Sequence, residues 1–252
     1  MAMPRSESWV HAVTIALVPG QTAQNHVPSG NSLTVTLPNP PAAGNCLVAC
    51  IGGHNANTVS SVVLGFSDAD NWAAALTNDV GAITGEIWID PDCDGSSAGV
   101  TIHTANAGQI NAQVFEFSGV STSPLDVSTS AQNLTPSSSW SSGTSGTAAA
   151  GDAWIGMCSG YAGVIYSLTG PSSPWTNEAV LNNSAGTPQI YSRFIAGYQV
   201  SSGAGTVTYA GVSTGTPGTQ VYAALAISLT AAGGGGGGGG GAATGSFLPF
   251  FR

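Results

Sequence analysis

From Trp9 to Thr230 the chain is written as short runs rich in Val, Ile, Thr, Trp, Tyr and Phe, separated by clusters of Gly, Ser, Pro and Asn. Apolar residues recurring every three or four positions, the mark of a helix facing a core, are almost absent. The runs HAVTIALV, SLTVTL, CLVACIG, VSSVVLGF, WAAALTN, GEIWID, GVTIHTA and NAQVFEFSGV predict a first series of strands. A second series is predicted over DAWIGMCSG, GVIYSL, WTNEAVLN, QIYSRFIAGYQV, GTVTYAG and QVYAALAISLT. Many short strands divided by turn residues predict an all-β protein, a jelly-roll-like β-sandwich.

The two series read as one unit written twice. Gly44-Asn45-Cys46-Leu47-Val48 lies over Gly151-Asp152-Ala153-Trp154-Ile155 at an offset of 107, which also sets Val100-Thr101-Ile102 over Val207-Thr208-Tyr209. The same offset sets Val114-Phe115-Glu116-Phe117 over Val221-Tyr222-Ala223-Ala224, while Trp72 meets Trp175 at 103, which requires a short deletion. The expected organisation is N-terminal strands over 1–43, a first sandwich half over 44–127, a Ser/Thr/Gly-rich crossover or linker over 128–150, a second half over 151–232, and a tail over 233–252. WVHAVTIALV, after Arg5, is read as a strand and not as a secretory leader, since Glu7 offsets the charge and His11 and Thr14 interrupt the apolar run.

Charge narrows the function. Only 6% of residues are charged, there is no lysine, and Arg5, Arg193 and Arg252 stand against twelve acidic residues for a net charge of −9. Three scattered cations cannot neutralise a phosphate backbone or an anionic bilayer surface, so neither nucleic acid nor membrane is expected as a partner. Cys46, Cys50, Cys93 and Cys158 lack metal-ligand spacing; Cys46 and Cys50, four apart in one strand, share a face and are expected as small buried hydrophobes, with a disulfide between distant members left open.

GNCLVACIG, SDADNWAAA, GEIWID, AGVTIHT and VFEFSGVSTSPLD together resemble a β-sandwich module of actinobacteriophage minor tail proteins and some bacterial surface proteins. The resemblance covers about residues 31 to 127. It implies a virion component defined by its place in a particle, with no reaction attached.

Local chemistry is sparse. Asp90, Asp92 and Asp94 before Gly95 match the first half of a calcium loop, but position twelve is Thr101 where a bidentate glutamate is needed, and an acidic hairpin loop accounts for them. No other cofactor is expected. Glu86 and Glu116, on neighbouring strands, are the one pair that could be set as glycosidase carboxyls, although a strand glutamate ordinarily accepts structural hydrogen bonds. His11, His26, His54 and His103 are dispersed, and no serine sits in a nucleophile elbow, so no enzyme is expected. Trp88 and Trp154 belong in core strands, whereas Trp140, inside the polar 128–150 stretch, is expected to be exposed and is the candidate platform for a host-surface glycan.

Gly233 to Gly241 is a run of nine glycines, followed by a short spacer and Phe247, Leu248, Phe250 and Phe251, the expected partner-binding residues. Extended, nine residues reach roughly 28 Å at about 3.1 Å each. Burying four large apolar side chains yields about 6 to 12 kcal/mol, and fixing six residues costs about 1 to 2 kcal/mol each. The terms nearly cancel, so one tail is a weak ligand and many tails in a homo-oligomeric, symmetric assembly are a firm one. The expectation is a non-enzymatic phage virion protein, most simply a minor tail protein held to other virion subunits by its tail. The alternatives are a capsid decoration protein and a secreted or surface glycan-binding module.

Overall fold

The computed structural model describes residues 13–233 apart from 55–56, 66–70, 82, 136, 187 and 216–219. Among these residues every regular element is a strand. The first half holds β1 (Ala16–Thr36), β2 (Cys46–His54), β3 (Val59–Leu64), β4 (Ala73–Val80), β5 (Ile83–Asp90) and β6 (Gly99–Ser118). The second holds β7 (Val120–Asn133), β8 (Ser139–Ser141), β9 (Thr147–Ala148), β10 (Ala153–Ala162), β11 (Tyr166–Thr169), β12 (Thr176–Asn177), β13 (Leu181–Ala185), β14 (Ile190–Val200), β15 (Gly205–Thr206), β16 (Ala210–Gly215) and β17 (Val221–Ala231).

All pairings are antiparallel, and the two halves are wired alike. The first sheet runs β1-β6-β2-β5-β4 with β3 also on β6; the second runs β12-β14-β10-β17-β7 with β13 also on β14. Thus β2 corresponds to β10, β5 to β14, β6 to β17 and β1 to β7. Each sheet comes from one half of the chain, whereas a jelly roll would thread both halves through both sheets; the fold is an antiparallel β-sandwich without that order. Residues 128–150, expected as a crossover or linker, instead hold the end of β7 with β8 and β9, which pair with β17, β16 and β15. Their Ser and Thr side chains suit an edge strand with one face in water. At the matching edge β1 runs through Pro19 and Pro28 by means of three register shifts, the tolerance for proline that an edge and its bulges provide.

Three cores result. Leu47, Ala49 and Ile51 of β2 point outward to pack with Val62, Leu64, Val100, Ile102 and Val114 inside the first half. Trp154, Cys158, Tyr209, Tyr222 and Ala224 do the same inside the second. Between the halves lies the largest cluster, where Cys46, Val48, Cys50, Ile87, Phe115 and Phe117 meet Ala153, Ile155, Met157, Phe194, Leu225 and Ile227. Both central strands are therefore buried on both faces, as their nearly unbroken apolar sequence requires.

Across this seam β1 faces β13, β6 faces β14, β2 faces β10, β5 faces β17 and β4 faces β7. Each strand meets the counterpart of the strand that its own counterpart meets, the signature of a two-fold axis, here between β2 and β10. The axis can be checked residue by residue at the offset of 107. His54 stacks on Tyr161 at 4.6 Å between ring centroids, and a Cβ on Gly52 would stand 2.6 Å from Ser159 Oγ, so glycine is what lets the strands close there. The offset is not uniform. With Cys46 opposite Phe117 and Ala153 opposite Leu229, Phe117 corresponds to Leu229, 112 residues on, and not to Ala224. The added residues fall between β16 and β17, where β6 is continuous.

Candidate functional site

Glu86 and Glu116 do not form a pair. Both point to the outer face of the first sheet, but Glu86 lies opposite Ile51 on one side of β2 and Glu116 opposite Leu47 on the other. Four residues along and two strand spacings across put them about 16 Å apart, beyond the roughly 5 to 10 Å of glycosidase carboxyls. Each is engaged in holding the fold. Glu86 Oε1 accepts from Val59 N at 2.6 Å and Oε2 from Trp88 Nε1 at 2.7 Å. Burial raises the Glu86 carboxyl, and burial followed by the charge of Glu86 pushes Asp79 up to about 7.

Glu116, almost fully buried, closes a corner. Its Oε1 accepts from Ala42 N at 2.9 Å and Asn45 Nδ2 at 2.5 Å, and its Oε2 from Gln21 Nε2 at 2.8 Å. Gln21 in turn exchanges both amide bonds with the Asn39 backbone, fastening β1 to the turn before β2. The same corner recurs in the second half with the roles exchanged. Asp152, the counterpart of Asn45, now carries the carboxyl and accepts from Ser228 Oγ at 2.7 Å, Ser228 being the counterpart of Glu116. Ala149 N, the counterpart of Ala42 N, donates to Asp152 and to Asp126 at 3.3 Å each. Burial holds the Asp152 carboxyl above its usual range, and Asp126 adds to this against the hydrogen bond from Ser228. Sequence reasoning passed over this corner, although its signal is visible as AAGN at 42–45 and AAGD at 149–152, each with its glycine at positive φ, 85° and 88°.

The acidic loop is a brace. Asp90 is buried and accepts from Asp92 N at 3.3 Å, Asp94 accepts from Ser96 N at 2.8 Å, and Asp92 and Asp94 are exposed. Cys93 between them is pinned to Gly44 and Asn45 by backbone bonds. No grouping of three His, Cys, Asp or Glu suited to a metal occurs among the described residues. All four cysteines are free and buried; burial raises each thiol, Cys93 up to about 12 with Asp90 and Glu116 adding to it, so none is a ready nucleophile.

Trp140 was expected in water and is not there. Only 4% exposed, it packs on Tyr209 at 5.3 Å between centroids and donates Nε1 to Val212 O, because β8 folds over the second half as a lid strand and turns the indole inward. Its neighbourhood is nonetheless a cleft of about 450 Å³ lined by Gln132, Asn133, Ser137, Ser139, Trp140 and Tyr222. The two flanks of the sandwich differ. At the β1/β13 flank Asn183 Nδ2 donates to Val27 O at 2.8 Å, and Asn111 Nδ2 to Ser192 Oγ at 2.9 Å just inside. The β4/β7 flank carries an apolar groove of about 300 Å³ lined mainly by Ala73, Ala75, Ile89, Pro91, Pro124 and Leu125. Phe247, Leu248, Phe250 and Phe251 lie outside the described residues. Comparison with known protein families, curated proteins and solved structures finds no match for this chain.

Proposed function

We propose that this chain is a non-enzymatic structural component of a phage virion, a minor tail protein whose sandwich forms the body and whose C-terminal plug fastens it to other virion subunits. The observation that carries the reading is the handover at Gly233. A strand buried in the second sheet runs directly into nine glycines, and these into Phe247, Leu248, Phe250 and Phe251. A tether on a rigid body followed by apolar anchors is built to hold something at a distance. The buried carboxyls fit a structural role, since Glu86, Glu116 and Asp152 each bind groups that join one segment of the fold to another. Phe250→Ser with Phe251→Ser removes two of the four anchors, about 3 to 6 kcal/mol of gross contact against a nearly balanced net term. The amount of that variant in purified particles, relative to the major structural protein, should fall to background; normal incorporation would end the anchor reading.

A second reading, a glycan-binding module, is favoured by the Gln132/Asn133/Ser137 cleft, whose amides and hydroxyls are the groups that recognise sugar hydroxyls. Selective binding on a glycan array, lost on Asn133→Ala, would establish it.

A further inference from the structure

The fold supplies a resting place for the plug. Ala231 pairs with Val120 and Leu229 with Leu125, and Ala232 N donates to Gly119 O, so the chain leaves the sandwich along the first residues of β7. Those residues carry Pro124 and Leu125 into the apolar groove, and Leu125 stands 43% exposed. The groove is open where β4 and β7 are both sheet edges, while the opposite flank is tied by Asn183 and carries a smaller, more polar cleft at Pro28, His54, Gln109 and Ala185. Leu125 lies about four residues of strand, or about 13 Å, back from Gly233. Thirteen residues lie between Gly233 and Phe247. A glycine-rich linker of that length would span about 20 Å on average, more than the distance to be bridged, and would give the plug an effective concentration of the order of millimolar at its own groove.

We infer that in the free protein the segment Phe247–Phe251 docks in cis into the groove between β4 and β7 of the same chain. The inference rests on reading that segment as an apolar anchor. Docking shields four large apolar side chains that would otherwise drive aggregation. Because the plug is a weak ligand, a stronger or multiply presented site can draw it away on assembly.

The test uses the full chain and limited chymotrypsin digestion, with release of peptides cut after Phe247, Phe250 or Phe251 followed by mass spectrometry. Leu125→Glu places a charge in the groove at a position exposed enough to keep the fold, and Leu134→Glu, on an exposed loop, serves as control. Leu125→Glu should speed release about 3- to 10-fold, whereas Leu134→Glu should leave it unchanged, with unaltered melting of both. Protection in the parent chain should be the same at 1 and 100 µM, with a monomer in sedimentation. Equal release from parent and Leu125→Glu overturns the inference, and so does protection that grows with concentration, which would mean exchange of tails between copies. Particle incorporation is a separate readout: Leu125→Glu should still be incorporated, so failure of cis docking and failure of the anchor are told apart.

Discussion

The two corners make a sharp prediction because the same job is done by exchanged residues. Asn45→Asp should turn the first corner's amide into a second carboxyl beside Glu116, where Asn45 Nδ2 now stands 2.5 Å from Oε1. A charge-assisted bond becomes a contact between like groups, at about 2 to 4 kcal/mol. Glu116→Ser should strip the acceptor from the buried Gln21 Nε2, at about 1 to 3 kcal/mol, and from Asn45 Nδ2 and Ala42 N, which water can partly satisfy, and leave a small void, in total about 2 to 4 kcal/mol. The double variant rebuilds what Asp152 and Ser228 already do, a serine hydroxyl donating to a buried aspartate. It should therefore cost at least about 2 kcal/mol less than the sum of the single changes. Urea melts at pH 7 give the four free energies of the cycle. Thermal melts should fall by about 5 to 15 °C for each single variant, at about 2 to 4 °C per kcal/mol in a chain of this length. Strict additivity within 0.5 kcal/mol would refute the equivalence of the corners and, with it, the assignment of Glu116 to Ser228.

At the axis, Gly52→Ala should destabilise by about 1 to 3 kcal/mol, since its Cβ would meet Ser159 Oγ at 2.6 Å and Phe194 Cδ2 at 2.7 Å; Ser159→Gly in the same chain should recover part of the loss in melting experiments. Asp79, its carboxyl raised to about 7, contributes stability that is complete below about pH 4 and lost as pH rises through 7. Melting temperature should accordingly decline from pH 5 to pH 8, and Asp79→Asn should flatten that slope; an unchanged slope would remove the Asp79–Glu86 contact as its source. Truncation after Ala232 should leave a cooperative melt and a β-type far-UV spectrum, because β17 ends at Ala231; an unfolded product would make the tail part of the core.

Strand existence was legible because the apolar runs are short and bounded by turn residues. Joins were not. GVTIHTA and NAQVFEFSGV read as two strands and are one, β6, since pairing to β1 on one side and to β3 and then β2 on the other carries the backbone through its polar middle. The repeat was legible at β2 and β10, where both faces are buried and the sequence has little freedom. It misled at β17, where an alanine-rich strand offers many registers and only the pairing with β10 selects one. Trp140 shows the limit of composition: a lone indole in a Ser-rich stretch reads as exposed, but a strand needs one buried side chain in every two, and Trp140 is that residue between exposed Ser139 and Ser141.

The two-fold axis lies inside one chain, which frees the two flanks of the body from being alike. A true dimer of identical subunits would present every flank twice, and any sticky mouth on it would be bivalent, able to chain one dimer to the next. Here both copies sit in one polypeptide and each side is free to change alone. One flank carries Asn111, Asn183 and Ser192, while Ile83, Ala223 and Leu225 are buried just inside the other. The result is a body of paired build whose two flanks differ, an apolar groove beside β4 and β7 on one and a smaller cleft at Pro28, His54, Gln109 and Ala185 on the other. Such a body has a direction that a dimer of identical subunits lacks, because a surface complementary to one flank does not fit the other.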